Sequence, residues 1–301
     1  MALLTGVLLL RVVVARPDNS RSEPSPRWSI LGDWSQFNSP TGAAEDHLGN
    51  LYVVDSANYH VYKLASDGTL LGTFGNHGGA PGQFDHPSAI ALDQNDNLYI
   101  ADTANSRVQE LSSTGAFLNT WGTQGTGPGQ FNAPRGVAVD GEGNIYVADT
   151  GNDRIQKLSP LGQVMAVWGA SGESAGQFHQ PSGLAFESDG TLLVADSGNH
   201  RVQQISGSGV AVNVWGSYGD APGKFDYPRW LATDMRGNIY VSDTYNHRIQ
   251  VLSSTGVPTA EYGTRGGEAG QLRRPEALVL EADGALVVVD ADNDRLQRLV
   301  P

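Results

Sequence analysis

A phenylalanine recurs every 47 residues along the chain, at Phe37, Phe84, Phe131, Phe178 and Phe225, and Leu272 completes the series. The surrounding pattern travels with it, approximately Gly-Gln-Phe-x-x-Pro-x-Gly-Ile-Ala-Val-Asp-x-x-Gly-Asn-Ile-Tyr-Val-Ala-Asp-Thr-x-Asn-x-Arg-Ile-Gln-x-Leu-Ser. Six copies without an insertion imply one supersecondary unit used six times and stacked on its neighbours. The regularity also sorts the residues. Those present in every copy serve the fold, so candidates for function are the residues that break the register.

The copy that starts at Phe131 reads as four short strands. Gly136–Asp140 is an apolar run closed by an Asp-Gly-Glu-Gly-Asn turn, and Ile145–Asp149 is a second, followed by a polar connection. Arg154–Leu158 and Val164–Trp168 follow, and a Gly-rich loop leads to Phe178. Near-continuous apolar strands suit sheets buried on both faces, and no helical period is present. Four short strands per repeat define a propeller blade, so the predicted fold is all-β: a six-bladed propeller of four-stranded antiparallel blades. Small residues of the first strand (Ala44, Ala91, Ala138, Ala185, Ala232) suit the crowded axis, and Phe74, Trp121, Trp168, Trp215 and Tyr262 suit the roomier rim.

The sixth copy ends before its outer strand, at Leu299-Val300-Pro301, but Ile30-Leu31-Gly32-Asp33-Trp34 matches Leu70-Leu71-Gly72-Thr73-Phe74. Residues 28–34 are therefore predicted to complete the last blade, with Trp34 as the sixth rim aromatic. Pairing the two ends of the chain removes two open sheet edges. The domain layout is then an apolar segment at 1–15, a linker at 16–27 and the propeller at 28–301. Residues 2–10 are almost wholly apolar before Arg11 interrupts. That run is short of the ~20 residues that span a bilayer and lacks the preceding positive charge of a signal peptide. The expectation is an atypical export signal or a remnant of a membrane anchor, making the protein secreted or membrane-anchored, and otherwise cytoplasmic.

Nineteen Lys and Arg against 32 Asp and Glu leave a net charge of −13. Nucleic acid is thus not an expected partner, because phosphate binding needs basic residues, and membrane contact is expected only through the N-terminal segment. The absence of cysteine excludes disulfides, thiolate catalysis and cysteine-ligated zinc within this chain.

Pro-Arg-Gly-Val-Ala-Val-Asp at 134–140, Gly-Asn-Ile-Tyr-Val-Ala-Asp-Thr at 143–150 and Asn-His-Arg-Ile-Gln at 246–250 resemble NHL repeats. The resemblance covers residues 28–301 and implies a six-bladed propeller. It constrains function less, because one fold hosts many. NHL propellers serve as protein- or RNA-binding platforms and as extracellular domains of bacterial receptors and kinases, and related six-bladed families include lyases and lactonases. The RING domain of the ubiquitin ligases that carry NHL repeats is absent here.

Two acidic series recur. Asp55, Asp102, Asp149, Asp196, Asp243 and Asp290 end the second strand, each followed three residues later by Asn and five later by Arg, or by His60 in the first copy. These are expected to lock the hairpin, the aspartate accepting turn N–H groups and the arginine forking onto it. His200 and His247 fall between that Asn and Arg and are expected to be surface loop residues. Asp46, Asp93, Asp140, Glu187, Asp234 and Glu281 end the first strand, where Asp-x-x-Gly favours a tight turn. The alternative for this second series is a carboxylate ring at one channel mouth that holds a cation, with Ca²⁺ suiting the oxygen donors. No other cofactor is expected.

Antiparallel strands place the long Gly-rich loops and the Asp-x-x-Asn connections at one end of the propeller and tight turns at the other. Non-repeating residues gather at the long-loop end, where binding residues are expected. After the repeat proline stand Thr41, Ser88, Arg135, Ser182, Arg229 and Glu276; Trp230 replaces the usual Gly or Ala; Asp85-His86, His179-Gln180, Asp226-Tyr227 and Arg273-Arg274 lie between Phe (or Leu) and Pro. Arg135, Arg229, Trp230, Tyr227, Glu276, His86 and His179 form the candidate binding surface, since arginine beside aromatic residues anchors partners and anions. The expected function is a non-enzymatic, monomeric binding or scaffold propeller for a protein, small-molecule or glycan ligand. The alternative, implied by related propellers, is a metal-dependent lyase or lactonase with its site in the channel. The seven histidines are scattered over loops of different blades, and no metalloprotease or phosphate-loop motif is present.

Overall fold

The computed structural model describes residues 27–30 and 37–300, and these form six four-stranded antiparallel sheets arranged as a propeller. Blade 1 comprises Pro40–Glu45, Leu51–Asp55, His60–Leu64 and Leu70–Phe74. Blade 3 comprises Gly136–Val139, Ile145–Asp149, Arg154–Leu158 and Val164–Trp168, within one residue of the strands read from its sequence. Blades 2, 4 and 5 repeat this meander over 87–121, 181–215 and 228–262.

Blade 6 joins Pro275–Leu280, Leu286–Asp290 and Arg295–Val300 to Arg27–Ile30 from the other end of the chain. The closing strand begins at Arg27, one residue inside the expected linker. Its register differs from the repeat alignment, which would set Ile30 opposite Leu299 as Leu70 is opposite Leu64. Instead Trp28 faces Leu299 and Ile30 faces Gln297. A two-residue slip keeps every side chain on its original face, so the apolar pattern is satisfied by either register. Trp34 lies outside the described residues, as do 1–26. Among the described residues no helix is long and apolar enough to cross a membrane.

The repeating Phe is the anchor of each interface. Phe84, Phe131, Phe225 and Leu272 are wholly buried, and each such side chain contributes about 1.5–3 kcal/mol of burial free energy. The crowded position of the inner strand is two residues before the alanines expected there. A Cβ on Gly136 would lie 1.8 Å from the Ser182 carbonyl oxygen of the next blade, so any side chain would force adjacent blades apart. At the rim, the indole of Trp121 covers Gly162, whose φ of +77° and lack of space both exclude a side chain.

The recurring acidic residue builds a buried knot that fixes the long loops. The wholly buried carboxylate of Asp102 accepts hydrogen bonds from the Asp85 N–H (2.7 Å), Asn105 Nδ2 (2.9 Å), Arg107 Nε (2.7 Å) and Gln109 Nε2 (3.0 Å). The arginine does not fork onto the carboxylate as expected. It gives the carboxylate only Nε, while Nη1 and Nη2 donate to the loop carbonyls of Gly79, Ala80 and Gln83 at 2.8, 3.1 and 2.8 Å. Nη1 and Nη2 thus fasten the loop, and Gln109, recurring in the pattern but not singled out, closes the knot. Arg154, Arg201, Arg248 and Arg295 place Nε against Asp149, Asp196, Asp243 and Asp290 at the same 2.7 Å.

Blade 1 departs from this. His60 and Tyr62 replace the arginine and glutamine, and the His60 ring turns to the Gly75 carbonyl at 2.9 Å. Burial pushes the carboxyl of Asp55 up to about 6, against the hydrogen bonds from Asn58 and the Asn38 N–H.

Candidate functional site

Two small devices carry register-breaking residues to the long-loop end. A hydroxyl just after the knot aspartate reaches the proline carbonyl of the next blade: Thr103 to Pro134, Thr150 to Pro181, Ser197 to Pro228 and Thr244 to Pro275, at 2.6–2.8 Å. The residue after each proline is thereby set at the channel mouth. Farther out, the residue between the knot Asn and Arg adopts the left-handed conformation and accepts a backbone N–H from the next blade. Asp153 accepts from Gln180 (2.8 Å), His200 from Tyr227 (3.1 Å), His247 from Arg274 (3.1 Å) and Asp294 from Ser39 (2.8 Å). His200 and His247 are therefore latches between blades, a role that repeat position alone did not disclose.

Thr41, Ser88, Arg135, Ser182, Arg229 and Glu276 converge with Trp230 around a cavity of about 30 Å³, room for a water molecule or so. Trp230, 9% exposed, packs into an apolar cluster and lines this cavity. Arg229 Nη1 lies 3.6 Å from Glu276 Oε1, and its guanidinium stands over the Tyr227 ring at 5.2 Å. Arg229 Nε is buried without a hydrogen-bond partner among the described residues. Burial works against the charge of Arg229, but Glu276 and the nearby tyrosines Tyr245 and Tyr227 hold its guanidinium above the ordinary value. Burial pushes the Glu276 carboxyl up against the pull of Arg229. The exposed Arg135 is held below its ordinary value, first by the surrounding protein and then by repulsion from Arg229. Two guanidinium groups thus stand near one carboxylate, which pairs with Arg229, and the mouth carries an excess positive charge in an acidic protein.

Tyr227 adjoins this group, its hydroxyl donating to Gln180 and its ring packing on Tyr245 at 5.3 Å. His86 and His179 are not brought to the mouth. His86 pairs with Asp85 at 2.6 Å beside Tyr59, and His179 faces Asp153 at 3.6 Å, both in outer loops of their own blades. The clustered part of the candidate surface is therefore Arg135, Arg229, Trp230, Glu276 and Tyr227.

At the opposite end, each carboxylate of the second acidic series turns into its own hairpin or strand. Asp140 accepts N–H groups from Glu142 and Asn144 at 3.0 and 2.9 Å and the Tyr146 hydroxyl at 3.1 Å. Burial raises the Asp140 carboxyl, but the hydrogen bonds led by Asn144 outweigh it and leave a lowered value. Asp46, Asp93 and Asp234 hold the same turn through Asn50, Asn97 and Asn238, whereas Glu187 and Glu281 bond Gln204 and Arg298. Among the described residues, no group of three or more His, Asp or Glu is arranged to hold a metal ion. Glu45, Asp46, Asp93, Asp96 and Asp140 line a concavity of about 350 Å³ at this end.

Fold and site together define a six-bladed propeller whose long-loop end carries an arginine-bearing cluster. The NHL repeat family matches residues 84–111, 131–158, 178–205 and 225–252, and the chain is an NHL-repeat β-propeller. No curated protein matches it. Among solved structures it is similar to virginiamycin B lyase from Staphylococcus aureus, at 13% identity over 92% of this chain and 99% of that one, with a TM-score of 0.67. A gluconolactonase from Xanthomonas campestris matches at 16% identity over 92% of this chain and 90% of that one, TM-score 0.66. An auxiliary nutrient binding protein from Bacteroides thetaiotaomicron matches at 13% identity over 88% and 69%, TM-score 0.66. Enzymes and a binding protein share the architecture at these identities, so the likeness defines the fold.

Proposed function

We propose that the protein is a non-enzymatic binding module that recognises an anionic group of a partner, a protein or a smaller ligand, through the long-loop end. One observation carries this: Arg135 and Arg229 line one small cavity at the mouth with Glu276, and of the two only Arg229 lies within ion-pair distance of that carboxylate. A carboxylate or phosphate docking there would relieve the repulsion between the two guanidinium groups through paired, charge-assisted hydrogen bonds. With the buried Trp230 lining a cavity of only about 30 Å³, this end meets its partner at the surface. His86 and His179 belong to the outer part of the same face. The apolar run at residues 2–10 supports action outside the cytoplasm, secreted or anchored.

Arg135→Glu tests the surface without disturbing the core, since Arg135 is exposed. Immobilised wild-type protein should retain a partner at moderate salt that Arg135→Glu loses. Equal retention by both would overturn the assignment, and a transition metal held tightly by the purified protein would favour channel chemistry instead.

A further inference from the structure

A second site stands away from the mouth, at the seam where blade 6 meets blades 5 and 1. Asn38, Ser39, His247, Arg265, Arg273, Ala291, Asp292 and Asp294 line a concavity of about 440 Å³, within the range of small-ligand sites. Only Ala291 among these is apolar. The cationic groups occupy positions where the repeat varies. The place of Arg265 is held by His77, Gln124, Ser171 and Tyr218 in blades 2–5, and that of Arg273 by Asn38, Asp85, Asn132, His179 and Asp226 in blades 1–5. No other blade carries an arginine or lysine at either.

The lining is asymmetric in what it leaves unused. Both carboxylates are engaged: Asp294 accepts the Ser39 N–H at 2.8 Å, and Asp292 lies 3.6 Å from Arg274. Neither guanidinium of Arg265 and Arg273 has an ion pair or hydrogen bond among the described residues. His247 adds a third donor. Its Nδ1 accepts the Arg274 N–H at 3.1 Å, so the neutral ring carries its proton on Nε2. Burial, and next the charge of Arg265, hold that ring below its ordinary value.

We infer that this seam binds a small polar ligand through an oxyanion, a phosphate or carboxylate group held by Arg265 and Arg273 with His247 Nε2–H as a further donor. Planar guanidinium forks match both oxyanions, and two uncommitted forks facing one concavity provide the charge that such a group needs. The polar remainder of the lining suits a hydroxyl-rich ligand body. This site is separate from the mouth proposed above, and each can fail without the other.

Titration with inorganic phosphate and with citrate, followed by calorimetry at constant ionic strength, tests the proposal. Wild-type protein should bind at least one of the two, and the double substitution Arg265→Gln, Arg273→Gln should weaken binding at least tenfold while the melting temperature holds. In an Arg135→Glu background, where the mouth is disabled, the anion should still bind and the same double substitution should remove that binding, which separates the seam from the mouth. His247→Gln should weaken binding severalfold. Absence of binding of either anion to the wild type would overturn the proposal. An Arg135→Glu protein that binds neither anion, or whose binding survives the added double substitution, would place the anion elsewhere and overturn it equally.

Discussion

The arginines of the knots and those of the long-loop surface are the same residue type in opposite circumstances. In blade 2 the guanidinium of Arg107 meets one buried carboxylate and three loop carbonyls. At the seam, the guanidinium groups of Arg265 and Arg273 have no ion pair or hydrogen bond among the described residues, and at the mouth Arg229 pairs with Glu276 while Arg135 stands beside them. Burial of a charge is tolerable only when its donors are satisfied, so the knot arginines are structural by completeness. The surface arginines carry donors to spare, which is what recognition needs.

The difference can be broken most severely at the framework. Deleting residues 1–30 removes the strand that pairs with Arg295–Val300 and opens blade 6. Cooperative thermal unfolding should be lost, as followed by circular dichroism and calorimetry. Arg154→Ala should be next in effect, because it leaves the wholly buried Asp149 without its cation and frees the loop carbonyls of Gly127 and Gln130. Denaturant titration should show a loss of about 3–5 kcal/mol.

Blade 1 gives the converse. Its knot has no arginine, and the Asp55 carboxyl is pushed from 3.8 to about 6 by burial. The folded state therefore holds that proton more tightly than the unfolded chain does. The contribution to stability is fully present below pH 3.8 and is lost as pH rises to 6. Asp55→Asn should accordingly stabilise the protein at pH 7, by on the order of 3 kcal/mol, and the gain over wild type should vanish near pH 4. The smallest effect belongs to the seam. The exposed side chains of Arg265 and Arg273, replaced together by Gln, should change stability by no more than about 0.5 kcal/mol.

Much of the framework was legible from the register. Ile145–Asp149, Arg154–Leu158 and Val164–Trp168 were bounded by turn residues that leave little freedom, and the missing outer strand of the sixth copy pointed to the other end of the chain. The closing register was not legible, because Trp28 and Ile30 are both apolar and two residues apart. Nor was the division of labour in Arg107, since the carbonyls it fastens are 24–28 residues earlier in the chain. Position in the repeat brought Arg135, Arg229, Trp230 and Glu276 to one mouth but could not separate His86 and His179 from it, because these side chains turn to Asp85 in the same loop and to Asp153 of the preceding blade. The seam escaped for a related reason. Arg273 was visible as a break in the repeat, but its meeting with His247 and Arg265 spans two blades.

Arg154→Ala and Arg135→Glu, measured side by side for melting temperature and partner retention, test the division between framework and surface most directly. Arg135→Glu should melt within about 1 °C of wild type and lose the retained partner, whereas Arg154→Ala should melt far lower. An Arg135→Glu variant that melts as wild type and still retains the partner would contradict the division.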